Sequence, residues 1–142
     1  MSAVVDKVLG KRYEVLRKLG HGENSATGNY LAWDLKSGRE IVALRVLEMP
    51  RVQHDDEEND VVIGDFRRPI DVLEKMPSHA NLVEVYSRGD HERYFYAAME
   101  YIAGYDLNAY LKGTIQEPLS AAEVLRIGYQ IADLMGALDS QD

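Results

Sequence analysis

An α+β fold is predicted for this chain by three stretches of its sequence. Ile41 to Met49 alternates as a strand does, with Ile41, Ala43, Arg45 and Leu47 on one face and Val42, Leu44, Val46 and Glu48 on the other. Val62, Phe66, Ile70, Leu73 and Met76 recur at helical spacing. Ser120-Ala121-Ala122-Glu123 is a capping box, and the helix it opens carries Val124, Ile127, Ile131, Leu134 and Leu138 on one stripe. With the remaining elements the order is three strands, a helix, two strands and two helices. Strands and helices grouped in runs indicate an α+β domain.

Taken in order, Val4, Val5, Val8 and Leu9 suit a short helical lead-in or a frayed arm, residues 1–11. Tyr13, Val15, Leu16 and Leu19 read as a first strand that ends at Gly20-His21-Gly22. Asn29-Tyr30-Leu31-Ala32-Trp33 is a second strand. Lys36-Ser37-Gly38-Arg39 turns the chain into the Ile41 strand, with Gly38 supplying a positive φ. Pro50 closes that strand. The acidic run His54 to Asp60 is read as a solvated loop or a helix start. The following helix has Gly64 and Pro69 inside its pattern. An interior proline costs roughly 3 kcal/mol, which predicts a late start or a kink before Pro77 ends it.

Leu82 to Tyr86 and Tyr94 to Tyr101 read as two strands joined through Gly89-Asp90. Asp106 is an N-cap for a short helix bearing Leu107, Tyr110 and Leu111, which Gly113 stops.

Composition narrows the functions open to the chain. Its 46% hydrophobic and 28% charged residues are those of an ordinary soluble domain. At 142 residues a single compact domain buries roughly 68–70% of its unfolded surface. A net charge of −8 argues against nucleic acid and anionic membrane as partners, since both need basic surface. The chain has no cysteine, which excludes thiol catalysis and thiolate metal sites, and its four histidines are scattered rather than paired. No apolar run reaches the length of a membrane span and no signal peptide is recognisable, so a cytoplasmic location is expected.

Motifs in the right order resemble the N-terminal lobe of the Ser/Thr protein kinases that bacteria share with eukaryotes, over residues 12 to 141. Arg12-Tyr13-Glu14-Val15 through Leu19-Gly20 resembles the strand entering the glycine-rich loop, and Tyr30-Leu31-Ala32-Trp33-Asp34 the strand leaving it. Val42-Ala43-Leu44-Arg45 resembles V-A-I-K with arginine for lysine. His79-Ala80-Asn81-Leu82-Val83 is similar to the H-P-N-I-V that follows helix C. Met99-Glu100-Tyr101-Ile102-Ala103-Gly104 looks like the gatekeeper and hinge, and Leu119-Ser120 to Ser140 resembles helix E.

The resemblance implies a small lobe with a five-stranded antiparallel sheet and a helix C equivalent over residues 12–104, hinge included. Residues 105–142 would then hold two helices resembling helices D and E of the large lobe. It also implies an ATP site. Gly20, Gly22 and Gly28 fall in the phosphate loop, Ala43 lines the pocket, and Arg45 takes the place of the phosphate-binding lysine. Glu100 and Ile102 present backbone groups to adenine, and Asp106 sits where an acidic residue meets the ribose.

Several positions depart from the family pattern. Ser25 replaces the third glycine of the loop, Glu23 puts a negative charge near the phosphate path, and Asn29 stands where a valine is usual. Arg45 keeps the charge of the lysine but not its shape. Pro69 falls at the position of the helix C glutamate that pairs with the lysine, and Asp71 and Glu74, off that register, are read as solvent-facing. The H-R-D and D-F-G motifs, which carry the base and the magnesium ligands in kinases, do not occur in the sequence.

From these departures the chain is expected to be a catalytically inactive kinase-like binding or regulatory module, with no catalytic residues and no metal. The alternatives are an N-terminal fragment of a longer ATP-dependent Ser/Thr kinase, and a nucleotide sensor that binds ATP without turnover. No cofactor is expected beyond that ATP. The partner expected is a protein or a second copy of the chain, held through the apolar stripe of the helix at 120–138.

Overall fold

The computed structural model describes residues 3–20, 26–50, 56–113 and 118–140. Six strands form one antiparallel sheet: β1 (Val8–Leu9), β2 (Tyr13–Leu19), β3 (Thr27–Asp34), β4 (Glu40–Glu48), β5 (Val85–His91) and β6 (Tyr94–Glu100). Their order across the sheet is β1-β2-β3-β4-β6-β5. The sequence predicts five of these strands. The sixth, β1, lies in the stretch read as a helical lead-in or frayed arm. Its Lys7 carbonyl accepts from Val15 N–H at 2.9 Å, and Asp6 N–H donates to Val15 O at 2.9 Å. Two bonds and the burial of Val4 and Leu9 make this segment a sheet edge.

The alternation of β4 is observed as predicted. Val42, Leu44 and Val46 are buried in a cluster with Val4, Leu9, Tyr13, Val15, Tyr30, Tyr94 and Tyr96 on one face of the sheet. On the other face Leu47 and Ala97 pack with Phe66 and Ile70 of the helix α1 (Asp56–Lys75).

That helix begins six residues before Val62 and continues through Pro69, so of the predicted late start or kink the late start is corrected. Proline removes one intrahelical hydrogen bond, at a cost of roughly 3 kcal/mol. Phe66 and Ile70 flank it and are buried against the sheet, each worth about 1.5–3 kcal/mol, which offsets the loss. Asp56, Glu57 and Glu58 occupy the first turn, where carboxylates favour the helix dipole. The acidic run thus supplies a helix start, while its first two residues, 54 and 55, lie outside the described ones.

The β5–β6 hairpin also differs from the prediction. Gly89 and Asp90 are inside β5, and the turn is made by Glu92 and Arg93, with Glu92 at φ 54°. A Cβ on Gly89 would lie 2.6 Å from the Tyr96 hydroxyl oxygen. The glycine is therefore there to admit a tyrosine from the neighbouring strand, and not to turn the chain. Gly38 does what was predicted, closing the β3–β4 hairpin at φ 74°.

The chain divides into two compact units, residues 1–75 with 84–101 and residues 76–83 with 102–142. The first holds the sheet and α1. The second contains α2 (Leu107–Leu111), capped by Asp106, and α3 (Ala121–Asp139), opened by the capping box of Ser120 and Glu123. Within this unit the segment after α1 docks on α3. His79 Nδ1 accepts from Asn81 N–H at 3.0 Å, which leaves the ring hydrogen on Nε2, 3.2 Å from Asp133 Oδ2. Asn81 Nδ2 donates to Gln130 O at 3.1 Å. No residue of α3 is buried, and Val124, Leu125, Tyr129, Ile131 and Met135 are all more than half exposed.

Candidate functional site

The face of the sheet that carries α1 is organised in cross-strand rows. Residues directly opposite each other in antiparallel strands share a face. One row is therefore Leu31, Ala43, Met99 and Val85, and the next is Asn29, Arg45, Ala97 and Arg88. Ala43 stands between Leu31 and Met99 and leaves a shallow apolar position in mid-sheet. Arg45, one row on, extends from the same face.

Arg45 is partly buried, and its Nε atom is buried with no hydrogen-bond partner. No carboxylate lies within ion-pair distance of it among the described residues. A guanidinium left with open donors in a partly dry position suits an anion. Pro69 is exposed on α1 and offers Arg45 no carboxylate.

Two carboxylates of α1 are engaged by another cation. Asp71 and Glu74, read from the sequence as solvent-facing, both bind Arg88 of β5. Arg88 Nη1 donates to Asp71 Oδ1, and Nη2 lies 3.2 Å from Glu74 Oε2. The hydrogen bond from Arg88 holds the Asp71 carboxyl below its ordinary range and raises the guanidinium in turn. This clamp was missed because the predicted hairpin turn at Gly89-Asp90 left Arg88 outside any strand. The Asp71–Glu74 spacing, one turn apart on a helix, was the available signal.

The other sequence-derived positions are dispersed. Gly20 ends β2 with φ 78° and has open space where a Cβ would be, whereas Gly22 lies outside the described residues. Gly28 is opposite Val46 in β3, and the Tyr30 ring fills the space beside it, 2.9 Å from a Cβ built there. Glu100 closes β6, with its N–H donating to Glu84 O at 2.9 Å and its carboxylate accepting from Glu84 N–H at 3.3 Å. Ile102 and Asp106 belong to the second unit. There Ile102 is two-thirds exposed, and Asp106 accepts from Ala109 N–H at 2.7 Å as a helix cap.

At the far end of β3 a second ion pair is more enclosed. Arg12 Nε and Nη2 donate to the two carboxylate oxygens of buried Asp34 at 2.8 and 2.7 Å. Asp34 also accepts from Lys36 N–H at 3.1 Å and caps the short 3-10 turn at Leu35–Ser37. The Arg12 bond above all holds this carboxyl down, from 3.8 to about 2.

Comparison with known proteins bears on the family and the fold. The family described as "Protein tyrosine and serine/threonine kinase" matches residues 13–142. The chain is 32% identical over 128 residues to serine/threonine-protein kinase PrkC of Bacillus subtilis (strain 168), covering 90% of this chain and 18% of that protein. It is 27% identical over 135 residues to the probable serine/threonine-protein kinase PknB of Lactococcus lactis, covering 95% of this chain and 20% of that protein. Thus it spans about a fifth of the length of these curated relatives. Among solved structures, a point mutant of the Mycobacterium tuberculosis PknI kinase domain superposes with a TM-score of 0.66 at 25% identity. That match covers 99% of this chain and 53% of the solved one.

Proposed function

The chain belongs to the protein tyrosine and serine/threonine kinase family, and from that premise we propose that it forms the nucleotide-side part of a longer ATP-dependent Ser/Thr protein kinase. The observation that carries this reading is the pair Ala43 and Arg45 on the α1 face of β4. Ala43 is flanked by apolar Leu31 and Met99, which offers room against a flat base. Arg45 has a buried Nε without a hydrogen-bond partner among the described residues, which suits a nucleotide phosphate. ATP would supply the phosphoryl group, and the role of these residues is to hold and orient it.

The base and the magnesium ligands that phosphoryl transfer requires would come from H-R-D and D-F-G motifs, neither of which the 142 residues contain. The test is the coding sequence downstream of codon 142. In-frame H-R-D and D-F-G motifs support the reading, and a stop codon overturns it.

A second reading is a kinase-like module that binds or regulates without transfer. It is favoured by the lack of any α1 carboxylate at Arg45, because that ion pair marks the active arrangement in kinases. Magnesium-dependent transfer of labelled phosphate by the purified chain would exclude it.

A further inference from the structure

Arg88 is not one of the positions that the family resemblance assigns, yet it is a sheet residue that binds two carboxylates of α1, Asp71 and Glu74. Of the strands, β5 is the one the backbone of α1 approaches most. Asp71 and Glu74 stand one turn apart on one side of that helix, and Arg88 gives one arm of its fork to each. An ammonium would be a point charge between them, whereas a planar guanidinium meets two carboxylates at once. On the same side of α1, Arg67 lies over the Phe95 ring, 5.0 Å from its centroid, and Phe66 and Ile70 are buried. Arg45, in the same row of the sheet, receives nothing from α1.

We propose that Arg88 is the positioning residue of α1. It holds the helix against β5 through Asp71 and Glu74, so that docking of α1 is uncoupled from Arg45 and from any anion Arg45 binds. The kinase reading enters only in giving α1 the place of helix C. The clamp itself is a relation among three side chains, and its test is independent of downstream sequence. A stop codon after codon 142 would overturn the kinase reading and leave the clamp standing.

Hydrogen exchange of the 142-residue chain, read by mass spectrometry on peptides of α1, tests the proposal. The three side chains are between one-third and one-half exposed, so the effect is bounded by what a partly solvated network contributes. Arg88→Ala is expected to speed exchange of α1 amides roughly three- to tenfold at low salt. The double variant Asp71→Asn, Glu74→Gln should give the same increase from the helix side. Arg45→Met should leave α1 exchange unchanged.

Arg88→Lys should restore only part of the protection. About 1 M salt should speed α1 exchange in the parent chain and not in Arg88→Ala. The double reversal Arg88→Glu, Asp71→Arg should protect α1 better than Arg88→Glu alone, which a purely steric role for Arg88 would not produce. Unchanged α1 exchange in Arg88→Ala, or an equal rise in Arg45→Met, overturns the proposal. So does loss of the whole fold in both the Arg88 and the Asp71/Glu74 variants, since the clamp would then hold the sheet and not the helix.

Discussion

Arg45 and Arg88 occupy one cross-strand row of the sheet, on either side of Ala97. They are two strand spacings apart, about 9.5 Å of backbone. One is bound by two carboxylates of α1 and the other by none. In a protein kinase it is the cation at the Arg45 position that pairs with the helix. The family resemblance puts Pro69 at the glutamate position, and the acidic residues follow it at Asp71 and Glu74. The helix therefore presents its charge to the next strand but one.

The first prediction concerns Arg45. Its buried Nε has no hydrogen-bond partner among the described residues, so removing the side chain takes away an unsatisfied donor. Arg45→Met is expected to leave stability within about 0.5 kcal/mol or to raise it by up to ~1 kcal/mol, read from the midpoint of urea unfolding. A loss greater than about 1 kcal/mol would mean that a protein group binds Arg45.

Asp34 gives the fold an acid-sensitive joint. Its carboxyl is held at about 2 in the fold against an ordinary 3.8, chiefly by Arg12. The ionised form is thus favoured by folding, and its contribution is complete above about pH 4–5 and lost as the pH falls through about 2. The size is on the order of 1–2 kcal/mol, discounted because Arg12 remains partly open to water. Asp34→Asn should destabilise the chain at neutral pH and flatten this part of the stability–pH curve. An unaltered slope between pH 4.5 and 2, taken as rough bounds of that titration, would contradict the assignment.

Gly89 and Tyr96 form the third test. Gly89→Ala places a methyl group 2.6 Å from the Tyr96 hydroxyl oxygen, and Gly10→Ala would place one at 2.0 Å from the same atom. Overpacking of this kind costs roughly 1–3 kcal/mol. Tyr96→Phe should recover part of the loss from Gly89→Ala in a double-mutant cycle. Additive losses would show that the hydroxyl is not the obstacle.

Those glycines explain where the sequence was legible and where it was not. Local rules sufficed for β4, whose alternation separates Val42, Leu44 and Val46 from Leu47 as observed. They sufficed for the Asp106 cap and the Ser120 capping box, because those bonds join residues three apart. They failed where a distant side chain decides. Gly89 reads as a turn until Tyr96 is placed beside it, and Pro69 reads as a break until Phe66 and Ile70 are seen buried. Val8 and Leu9 carry no strand pattern long enough to read, yet β2 recruits them. Arg88 followed the fate of Gly89: misplacing the turn hid the cation that binds α1. For the site, Ala43 and Arg45 were legible as one strand face, whereas the absence of any α1 group at Arg45 depended on the helix register.

The apolar side of α3 supplies a fourth prediction. Val124, Ile131 and Met135 are exposed, and the solved kinase domain is about twice as long as the matched region, which covers 53% of it. The expected cover is the rest of a large lobe. Without it, the 142-residue chain should self-associate with rising concentration in sedimentation, and Val124→Glu with Ile131→Glu should reduce that association. A chain that stays monomeric at every concentration would argue against an association face there.

Transfer of labelled phosphate from ATP to a protein substrate, with magnesium, tests the central claim most directly. It should be measured on the 142-residue chain and on the same chain continued through its downstream reading frame. The account predicts no transfer by the first and magnesium-dependent transfer by the second. Transfer by the 142 residues alone, or none by the continued chain, would contradict it.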